Sequence, residues 1–172
     1  MPLSQTDLFA HLDQLGIGHT TVEHPPIFTV EEGRDIKARM PGGHTKNLFL
    51  KDKKSRLALV SALGETQIAV NQLHRLIECQ RFSFGREDLL FETLGVRPGS
   101  VTVFSILNDT EQRVRMVLDA GLFDHEIVNF HPLENTATTA IASRDLLPFI
   151  RSTGREPVIV DFARMARMET PA

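Results

Sequence analysis

The sequence predicts one α+β domain built on about seven strands in a mostly antiparallel or mixed sheet. Three observations predict this fold class. The 172 residues are enough to bury a core without disulfides or metals. Short β-branched or apolar runs alternate with stretches of helical periodicity along the chain. No repeat, low-complexity segment or linker divides it, so residues 1–172 form a single domain whose tail after about residue 163 is expected to fray.

The N-terminal half is predicted from caps, turns and periodicity. Ser4 can cap a helix with Asp7 at its third position, and Thr29 with Glu32 resembles a second capping box. A polar turn between two apolar runs indicates a hairpin. The predicted elements are a helix from Ser4 to Leu15, a strand from His19 to Glu23, a helix from Thr29 to about Met40, strands from Thr45 to Lys51 and Arg56 to Ala62, a helix capped by Asn71, and a helix from about Arg86 to Leu94.

The elements of the C-terminal half are predicted mainly from runs of β-branched residues and from the prolines and glycines that end them. Pro148 falls near the first turn of the last helix and can kink it, and Gly154 ends that helix. The predicted elements are strands from Ser100 to Leu107, Val114 to Asp119, Glu126 to Phe130 and Thr136 to Ile141, a helix capped by Ser143, and a strand from Pro157 to Phe162.

Composition limits the classes of function. The net charge of -3 argues against nonspecific coating of nucleic acid. The single Cys79 excludes an intramolecular disulfide and predicts a buried, inert thiol. The chain has no apolar run long enough to span a membrane, and its N-terminus lacks the basic-then-apolar order of a signal peptide, so we expect a cytoplasmic protein. Residues 31–60 carry a local charge of +4, which indicates either a solvated surface or a small phosphate-contacting patch. Its charged members are Arg34, Lys37, Arg39, Lys46, Lys51, Lys53, Lys54 and Arg56 against Glu31, Glu32, Asp35 and Asp52.

Common catalytic patterns are absent. The seven histidines lack a zinc-peptidase spacing and Cys79 has no cysteine partner, so we expect no metal. Ser61 and Ser100 lack the glycine-flanked nucleophile context, and neither Gly42-Gly43 nor Gly95 to Gly99 matches a nucleotide-binding loop. No cofactor is expected.

Polar residues at the ends of apolar strands remain as candidates. Lys46 and Asn47 precede Leu48-Phe49-Leu50, His131 follows Phe130, and a threonine-rich run begins at Asn135. Strand alternation places Lys46, Leu48 and Leu50 on one face and Asn47 and Phe49 on the other. Each residue also has a structural explanation: Lys46 can snorkel to solvent, His131 can stack on Pro132, and the threonines can pair across strands.

Three segments together resemble a known family. They are Gly43-His44-Thr45-Lys46-Asn47-Leu48-Phe49-Leu50, Leu94 to Thr102, and Phe130 to Thr139. In this order they resemble the free-standing homologues of the prolyl-tRNA synthetase editing domain, the YbaK/ProX superfamily, and more narrowly its alanyl-tRNA(Pro) deacylase branch. The resemblance implies a curved mixed sheet flanked by helices and a trans-editing enzyme that hydrolyses the ester of mischarged tRNA(Pro).

The resemblance also implies the site. Lys46, Asn47 and His131 correspond to the residues tied to deacylation, and the motifs around them supply substrate contacts: His44, Thr45, Gly99, Ser100, Val101, Asn135 and Thr136. The family's Gly-x-x-x-Pro loop corresponds to Gly99 to Val103, so Val103 stands where the family has proline. If proline is rejected by its size, apolar residues must form the walls of the amino-acid pocket. The candidates for these walls, each of which could instead be an ordinary core residue, are Ile27, Phe28, Val30 and Leu48.

The partners follow from the same resemblance. We expect the acceptor end of aminoacyl-tRNA(Pro), with prolyl-tRNA synthetase as a further partner, no DNA, no membrane, and a monomer or weak homodimer. Two alternatives stay open: a non-catalytic tRNA- or synthetase-binding module of the same fold, and a deacylase for serine, threonine or cysteine.

Overall fold

A mixed sheet of eight strands forms the centre of the computed structural model, which describes residues 1–27 and 30–164. The strand order is β1-β7-β6-β2-β3-β5-β8, with β4 beside β2. β2 pairs in parallel with β6, as do β3 with β5 and β5 with β8, and the remaining pairs are antiparallel. The strands are β1 (His19–Glu23), β2 (Gly43–Asp52), β3 (Leu57–Leu63), β4 (Phe82–Phe84), β5 (Val114–Asp119), β6 (Ile127–Phe130), β7 (Ala137–Ala142) and β8 (Val158–Val160).

Four α-helices flank this sheet in the described ranges, joined by short 3-10 turns. The helices are α1 (Gln5–Gln14), α2 (Val30–Arg39), α3 (Glu87–Leu94) and α4 (Leu146–Ser152). Ser4 and Asp7 form the predicted capping box of α1, each side chain bonded to the other's backbone N–H. The expected cap Thr29 and the tail from residue 165 lie outside the described residues. None of the helices described is long and apolar enough to cross a membrane.

Four sequence predictions were wrong in type or extent. The predicted strand from Ser100 to Leu107 is a 3-10 helix, Val103–Asn108, because the Thr102 hydroxyl caps it and its first four residues are all buried, which removes any strand alternation. The helix expected after Asn71 is also 3-10, Val70–Arg75, with Ala69 at its cap. Ser143 opens a 3-10 turn that precedes α4. The last strand is only three residues long.

Two apolar clusters cover the two faces of the β2–β3 hairpin. Phe49 packs in the larger cluster, while Leu50 packs in the smaller one, as alternation along β2 requires. In the larger cluster Phe104 makes edge contacts with Phe130 and Phe149, at centroid distances of 5.5 and 5.3 Å. These contacts fix the end of β6 against α4, which holds the residues that follow Phe130 in place.

The start of β2 is a branch point in the sheet. Gly43 and His44 pair with β6, and from Thr45 onward the strand pairs with β3. Gly42 has φ +103°, and a Cβ there would collide with the backbone oxygen of Ile127. The double glycine therefore allows the close backbone approach that brings β2 and β6 together.

Candidate functional site

A cavity of about 420 Å³ lies between α2 and the ends of β2, β6 and β7. The sheet supplies its polar wall and the α2 region supplies a more apolar one with a single lysine. On the sheet side the lining residues are His44, Thr45, Asn47, Asn129, Phe130, His131 and Thr138. On the other side they are Ile27, Gly33, Ile36 and Lys37.

Five residues predicted from the sequence meet in this cavity. They are Ile27, His44, Thr45, Asn47 and His131. Phe28 lies outside the described residues, and the side chain of Val30 is not described. Leu48 packs against the smaller core cluster instead of lining the cavity.

Lys46 is half-buried and is not among the cavity-lining residues. It pairs with Ala62 in an uninterrupted antiparallel ladder with β3. Regular alternation along this ladder puts its side chain on the face shared with Leu48, opposite Thr45 and Asn47. Lys46 therefore lies on the face of β2 opposite the residues that line the cavity, while Lys37 is the lysine among the lining residues.

The predicted loop and the predicted asparagine lie beside each other, outside the lining. Gly99 has φ +92°, and a Cβ there would meet the Asn135 amide nitrogen at 3.7 Å. Ser100 and Val101 continue this loop into the 3-10 helix, whose first residue, Val103, is fully buried.

Thr136 also lies outside the lining but connects to it through the backbone. Its carbonyl oxygen accepts a hydrogen bond from the His24 backbone N–H at 2.9 Å. This bond ties the end of β1 to the segment before β7, and so fixes His24 behind the cavity.

The surroundings of His131 favour its neutral imidazole. Burial lowers its pKa, and neighbouring His24 lowers it further, against the opposing effect of the bond to Ala137. Because a carbonyl oxygen only accepts, Nδ1–H of His131 donates to Ala137 O at 2.9 Å. That tautomer leaves Nε2 as a hydrogen-bond acceptor.

His24 positions a hydroxyl at the same wall. Its Nδ1–H donates to Pro25 O and its Nε2 is hydrogen-bonded to the Thr138 hydroxyl, both at 2.8 Å. The rings of His24 and His131 are 6.2 Å apart. The Thr138 hydroxyl is therefore held in place at the cavity wall by His24.

The surroundings of His44 also favour its neutral form. Burial lowers its pKa and Lys37 adds to the effect, while the bond to Met40 opposes it. Nε2–H donates to Met40 O at 2.8 Å, so Nδ1 is left as an acceptor.

Asn47 contributes a hydrogen-bond donor. Its Oδ1 accepts from the buried Ser61 hydroxyl, which orients the amide so that Nδ2 points toward Thr45 Oγ1, 3.5 Å away. The Thr45 hydroxyl itself donates to Asn129 O at 2.7 Å. One N–H of Asn47 is thus left for a ligand.

Four residues that line the cavity were not predicted from the sequence: Asn129, Lys37, Thr138 and Ile36. Asn129 was visible only as a polar residue inside an otherwise apolar strand. Lys37 was counted only as part of the basic patch, and Thr138 only as part of the threonine-rich run. Within the described part of the chain, no group of three His, Cys, Asp or Glu side chains is arranged to hold a metal ion.

A family model described as the aminoacyl-tRNA editing domain matches residues 24–149, which include every residue that lines the cavity. The chain belongs to the aminoacyl-tRNA editing-domain family. The resemblance identified from three sequence segments is confirmed by this match.

Individual relatives agree with the family. A Danio rerio protein named "Prolyl-tRNA synthetase associated domain-containing protein 1" is 40% identical over 158 residues, covering 91% of this chain and 86% of that protein. "Prolyl-tRNA editing protein ProX" of Acetoanaerobium sticklandii is 35% identical over 148 residues, covering 86% and 90%. The solved structure of a candidate trans-editing enzyme for prolyl-tRNA synthetase has a TM-score of 0.70 at 19% identity, over 92% of this chain and 97% of that one, and supports the fold.

Proposed function

We propose that this protein is a trans-editing deacylase that hydrolyses the ester of mischarged tRNA(Pro), with Ala-tRNA(Pro) as the preferred substrate. The observation that carries the proposal is the cavity in which Asn47 and the neutral His131 face the same space, in a chain of the editing-domain family. An aminoacyl ester is already activated, so a site without a nucleophile or metal can hydrolyse it by positioning water and stabilising the oxyanion.

Asn47 and His131 have complementary roles in this proposal. The free N–H of Asn47 donates to the ester carbonyl oxygen, where negative charge develops. Nε2 of His131 accepts a hydrogen bond from the attacking water or from the hydroxyl of the terminal ribose, which helps deliver that water. Because the pKa of His131 is lowered, Nε2 stays available at neutral pH, and activity should fall as the solution becomes acidic.

Lys46 and Lys37 supply positive charge in different positions. Lys46, on the opposite face of β2, suits a phosphate of the tRNA 3′ end at the rim. Lys37 lines the cavity and can contact the terminal nucleotide. Gly99 to Val101 and Asn135 to Thr136 are proposed to contact substrate beyond the cavity itself.

Selectivity is proposed to come from exclusion. An apolar pocket gains only about 1–3 kcal/mol per methylene, so it cannot select alanine by attraction but can refuse a larger ring. Ile27 and Ile36 form the apolar wall facing the sheet and are the nearest candidates for this role. Phe28, Val30 and Leu48 stay predictions for the same role.

The test is a deacylation assay with tRNA(Pro) charged with alanine, proline, serine, threonine or cysteine. We expect the ester of Ala-tRNA(Pro) to be lost fastest and Pro-tRNA(Pro) to be spared. His131→Ala and Lys46→Ala should each lower kcat/KM by about 100-fold. His11→Ala and Lys53→Ala are matched controls far from the cavity: His11 bonds to Ser152, and Lys53 is exposed in the β2–β3 turn.

Each outcome has a defined meaning. If none of the five esters is hydrolysed faster than without the protein, the enzyme assignment is wrong. Preference for serine, threonine or cysteine would keep the deacylase and reject alanine. Wild-type rates for Lys46→Ala would remove Lys46 from the mechanism.

A binding module for prolyl-tRNA synthetase is a second candidate, favoured by the name of the Danio rerio relative. It predicts tRNA or synthetase binding without turnover in the same assay. The polar wall of the cavity argues against it, since a pure docking module has no need of half-buried Asn and His side chains held in fixed orientations.

A further inference from the structure

A second cavity, of about 530 Å³, lies at the other end of the β2–β3 hairpin from the candidate site. Its walls are the starts of β3 and β5, the segment before β4 and the residues that precede β8. No described residue lines both cavities, and this volume is within the range of small-molecule sites. The charged residues that line the second cavity are Arg56, Arg113, Arg115, Arg155, Glu78 and Glu156.

Two turns of the same design lead into the strands that border this cavity. Asp52 accepts a hydrogen bond from the backbone N–H of Arg56 at 2.8 Å, directly before β3. Asp109 accepts one from the backbone N–H of Arg113 at 3.0 Å, directly before β5. Both aspartates are buried. Because β3 and β5 are parallel neighbours, the two turns place arginines side by side at the starts of these strands.

The backbone of both turns adopts a conformation that side chains rarely adopt. Ser55 has φ +63° and Gln112 has φ +54°, and each directly precedes the arginine of its turn. In the described ranges only one other residue besides glycine, Leu133, has a positive φ. Strained positions are concentrated at functional sites, and two of these three line the second cavity. This coincidence supports a functional role for the shape of the cavity.

The arginines differ in how much of each guanidinium is left for a ligand. The side chain of Arg155 is 8% exposed, and both of its terminal nitrogens bond to oxygens of the fold. Among the described residues Arg56 bonds only through Nε, to Asp52, and its side chain is 49% exposed. Arg115 is exposed and donates to a backbone oxygen, Glu78 O at 3.1 Å, with no described carboxylate as a partner. Arg56 and Arg115 therefore keep N–H groups for a ligand.

Arg56 and Arg115 lie on the same face of the sheet. Arg115 pairs with Ala58 across the parallel β3–β5 ladder, and Arg56 precedes Ala58 by two residues, so alternation places both side chains on one face. The Cys79 thiol lies near both: burial raises its pKa and Asp52 adds to this effect, while Arg115 and Arg56 oppose it. Like charges on neighbouring strands repel, so an anion that bonds to both guanidiniums also removes an unfavourable interaction.

The rest of the wall selects among anions. Phe82 and Met116 supply apolar surface, which suits an organic ligand better than an inorganic ion. Glu78 and Glu156 also line the cavity, and their carboxylates disfavour an RNA strand that carries one phosphate after another. Guanidinium groups bind phosphate oxygens through paired N–H donors. The wall therefore favours a single phosphate group on a small organic molecule.

We propose that the second cavity binds a small phosphate monoester, with its phosphate between Arg56 and Arg115 and its organic part against Phe82. This proposal does not depend on the proposed deacylase function, because the two cavities are separate. Cys79 lines the second cavity and is the one cysteine of the chain, so its reaction with an alkylating reagent reports whether the cavity is occupied.

The test measures how phosphate esters protect Cys79 from alkylation. The full-length protein reacts with iodoacetamide, an uncharged reagent, at constant ionic strength, and intact mass gives the rate. AMP and phenyl phosphate are the monoester probes, and adenosine and inorganic phosphate each lack one half of AMP. At about ten times its Kd, AMP should slow alkylation about 10-fold, because only the free protein reacts. Adenosine should not protect, and inorganic phosphate should protect only at much higher concentrations.

Arg115→Gln is the decisive variant. It removes the guanidinium that has no described carboxylate partner, and should raise the Kd for AMP about 10-fold. Each variant is compared with its own ligand-free alkylation rate, because the charge of Arg115 also affects the thiol. Arg144→Gln is the matched control: Arg144 is exposed and does not line the cavity, so the Kd should stay at the wild-type value. If melting shows that Arg115→Gln does not fold, Arg115→Lys, which keeps the charge without the paired donors, replaces it and should also weaken binding.

Each other result would overturn the proposal. Absence of protection by both monoesters would show that the cavity is not a phosphate site. Equal protection by adenosine would remove the role of the phosphate, and equal protection by inorganic phosphate would remove that of the organic part. A wild-type Kd for Arg115→Gln, or calorimetric binding of AMP without protection of Cys79, would place the ligand elsewhere. Protection by uncharged tRNA(Pro) at concentrations where AMP gives none would assign the arginines to an RNA backbone.

Discussion

Asp52 shows how a single buried charge organises a turn in this protein. Asp52 lies at the end of β2 and is 3% exposed. Its carboxylate accepts hydrogen bonds from the backbone N–H groups of Lys54, Arg56 and Gln80 and from the Arg56 side chain. Burial by itself would raise the pKa of Asp52, but these donors outweigh it and lower the pKa to about 2.

The lowered pKa predicts a specific dependence of stability on pH. Because the folded-state pKa lies below the unfolded value of about 3.9, the carboxylate stabilises the fold at neutral pH, and this contribution is lost as pH falls from about 4 to about 2. Asp52→Asn should lower the free energy of unfolding by about 2 kcal/mol at pH 7 and remove that part of the acid dependence. Urea unfolding at pH 7 and pH 3 measures both effects.

Asp35→Asn is the matched control for this prediction. Asp35 is exposed and pairs with Arg39 across one helical turn, a contact worth well under 1 kcal/mol. Equal destabilisation by the two substitutions would contradict the role assigned to Asp52.

At the scale of single residues, the sequence identified those site residues that lie in continuous motifs. Asn47 and His131 were indicated by their positions at strand ends and by the family resemblance. His44 and Thr45 were indicated by the resemblance alone. Asn129 and Thr138 were missed because their roles depend on which strands pair, and the register of His44 with Asn129 is not visible in one sequence. Alternation did predict that Lys46 and Asn47 face opposite ways.

At the scale of elements, strong local signals predicted correctly and weak ones did not. The capping box of α1, the hairpin of β2 and β3, and β1 from His19 to Glu23 all formed as expected. The three-residue strand β4 was missed because a run that short has no readable period. The apolar run that became the 3-10 helix Val103–Asn108 is buried throughout, so its periodicity could not distinguish a strand from a helix.

The turn before β2 gives an element-scale prediction. Gly42→Ala places a Cβ against the backbone oxygen of Ile127 at a positive φ, so both strain and collision disfavour it. We expect a loss of about 2–3 kcal/mol in unfolding free energy, together with weakened substrate binding, since the β2–β6 junction carries the cavity wall. Thermal melting and the KM for the alanyl ester report the two effects.

Gly18→Ala serves as the control for this substitution. A Cβ at Gly18 would meet no heavy atom within 4 Å, and its φ is not in the left-handed region. It should change stability by well under 1 kcal/mol or raise it slightly. A wild-type melting temperature for Gly42→Ala would disprove the close approach at this turn.

At the scale of the whole molecule, the structure divides the basic patch that is contiguous in sequence. Lys37 lines the cavity, whereas Lys53 and Lys54 are exposed in the turn at the far end of β2. A ten-residue strand separates these ends by about 30 Å. Arg56 forms an ion pair with Asp52, and Arg39 forms one with Asp35, so both charges are already paired.

Under the proposed function, this division predicts that removing charge at the two ends of the patch affects tRNA binding unequally. If Lys37 contacts the phosphate of the terminal nucleotide, Lys37→Gln should raise the KM for alanyl-tRNA(Pro) several-fold and reduce the slope of log KM against log salt concentration by about one, because that one contact is lost. The double variant Lys53→Gln with Lys54→Gln removes more charge but should leave both values nearly unchanged. Equal effects of the two variants would indicate a diffuse electrostatic surface instead of a local contact.

The sheet order explains why the architecture was predicted only as a class. Local patterns predict strands, but β1 pairs with β7 and β2 with β6 across long stretches of chain, and nothing local encodes those partners. The mixed sheet was therefore predicted correctly as a class, while the order of its strands and the position of the cavity were not.

The bond between His24 and Thr138 joins residues 114 positions apart, and that between Thr21 and Thr139 joins residues 118 apart. The helix side of the cavity and the motif of β2 leave the ribosome early, whereas Asn129, His131 and Thr138 emerge near the end of synthesis. A nascent chain that already contains β1, α2 and β2 therefore still lacks most of the polar wall of its cavity. The site becomes complete only when most of the polypeptide is available to fold, so an unfinished chain has no complete cavity in which to bind a ligand.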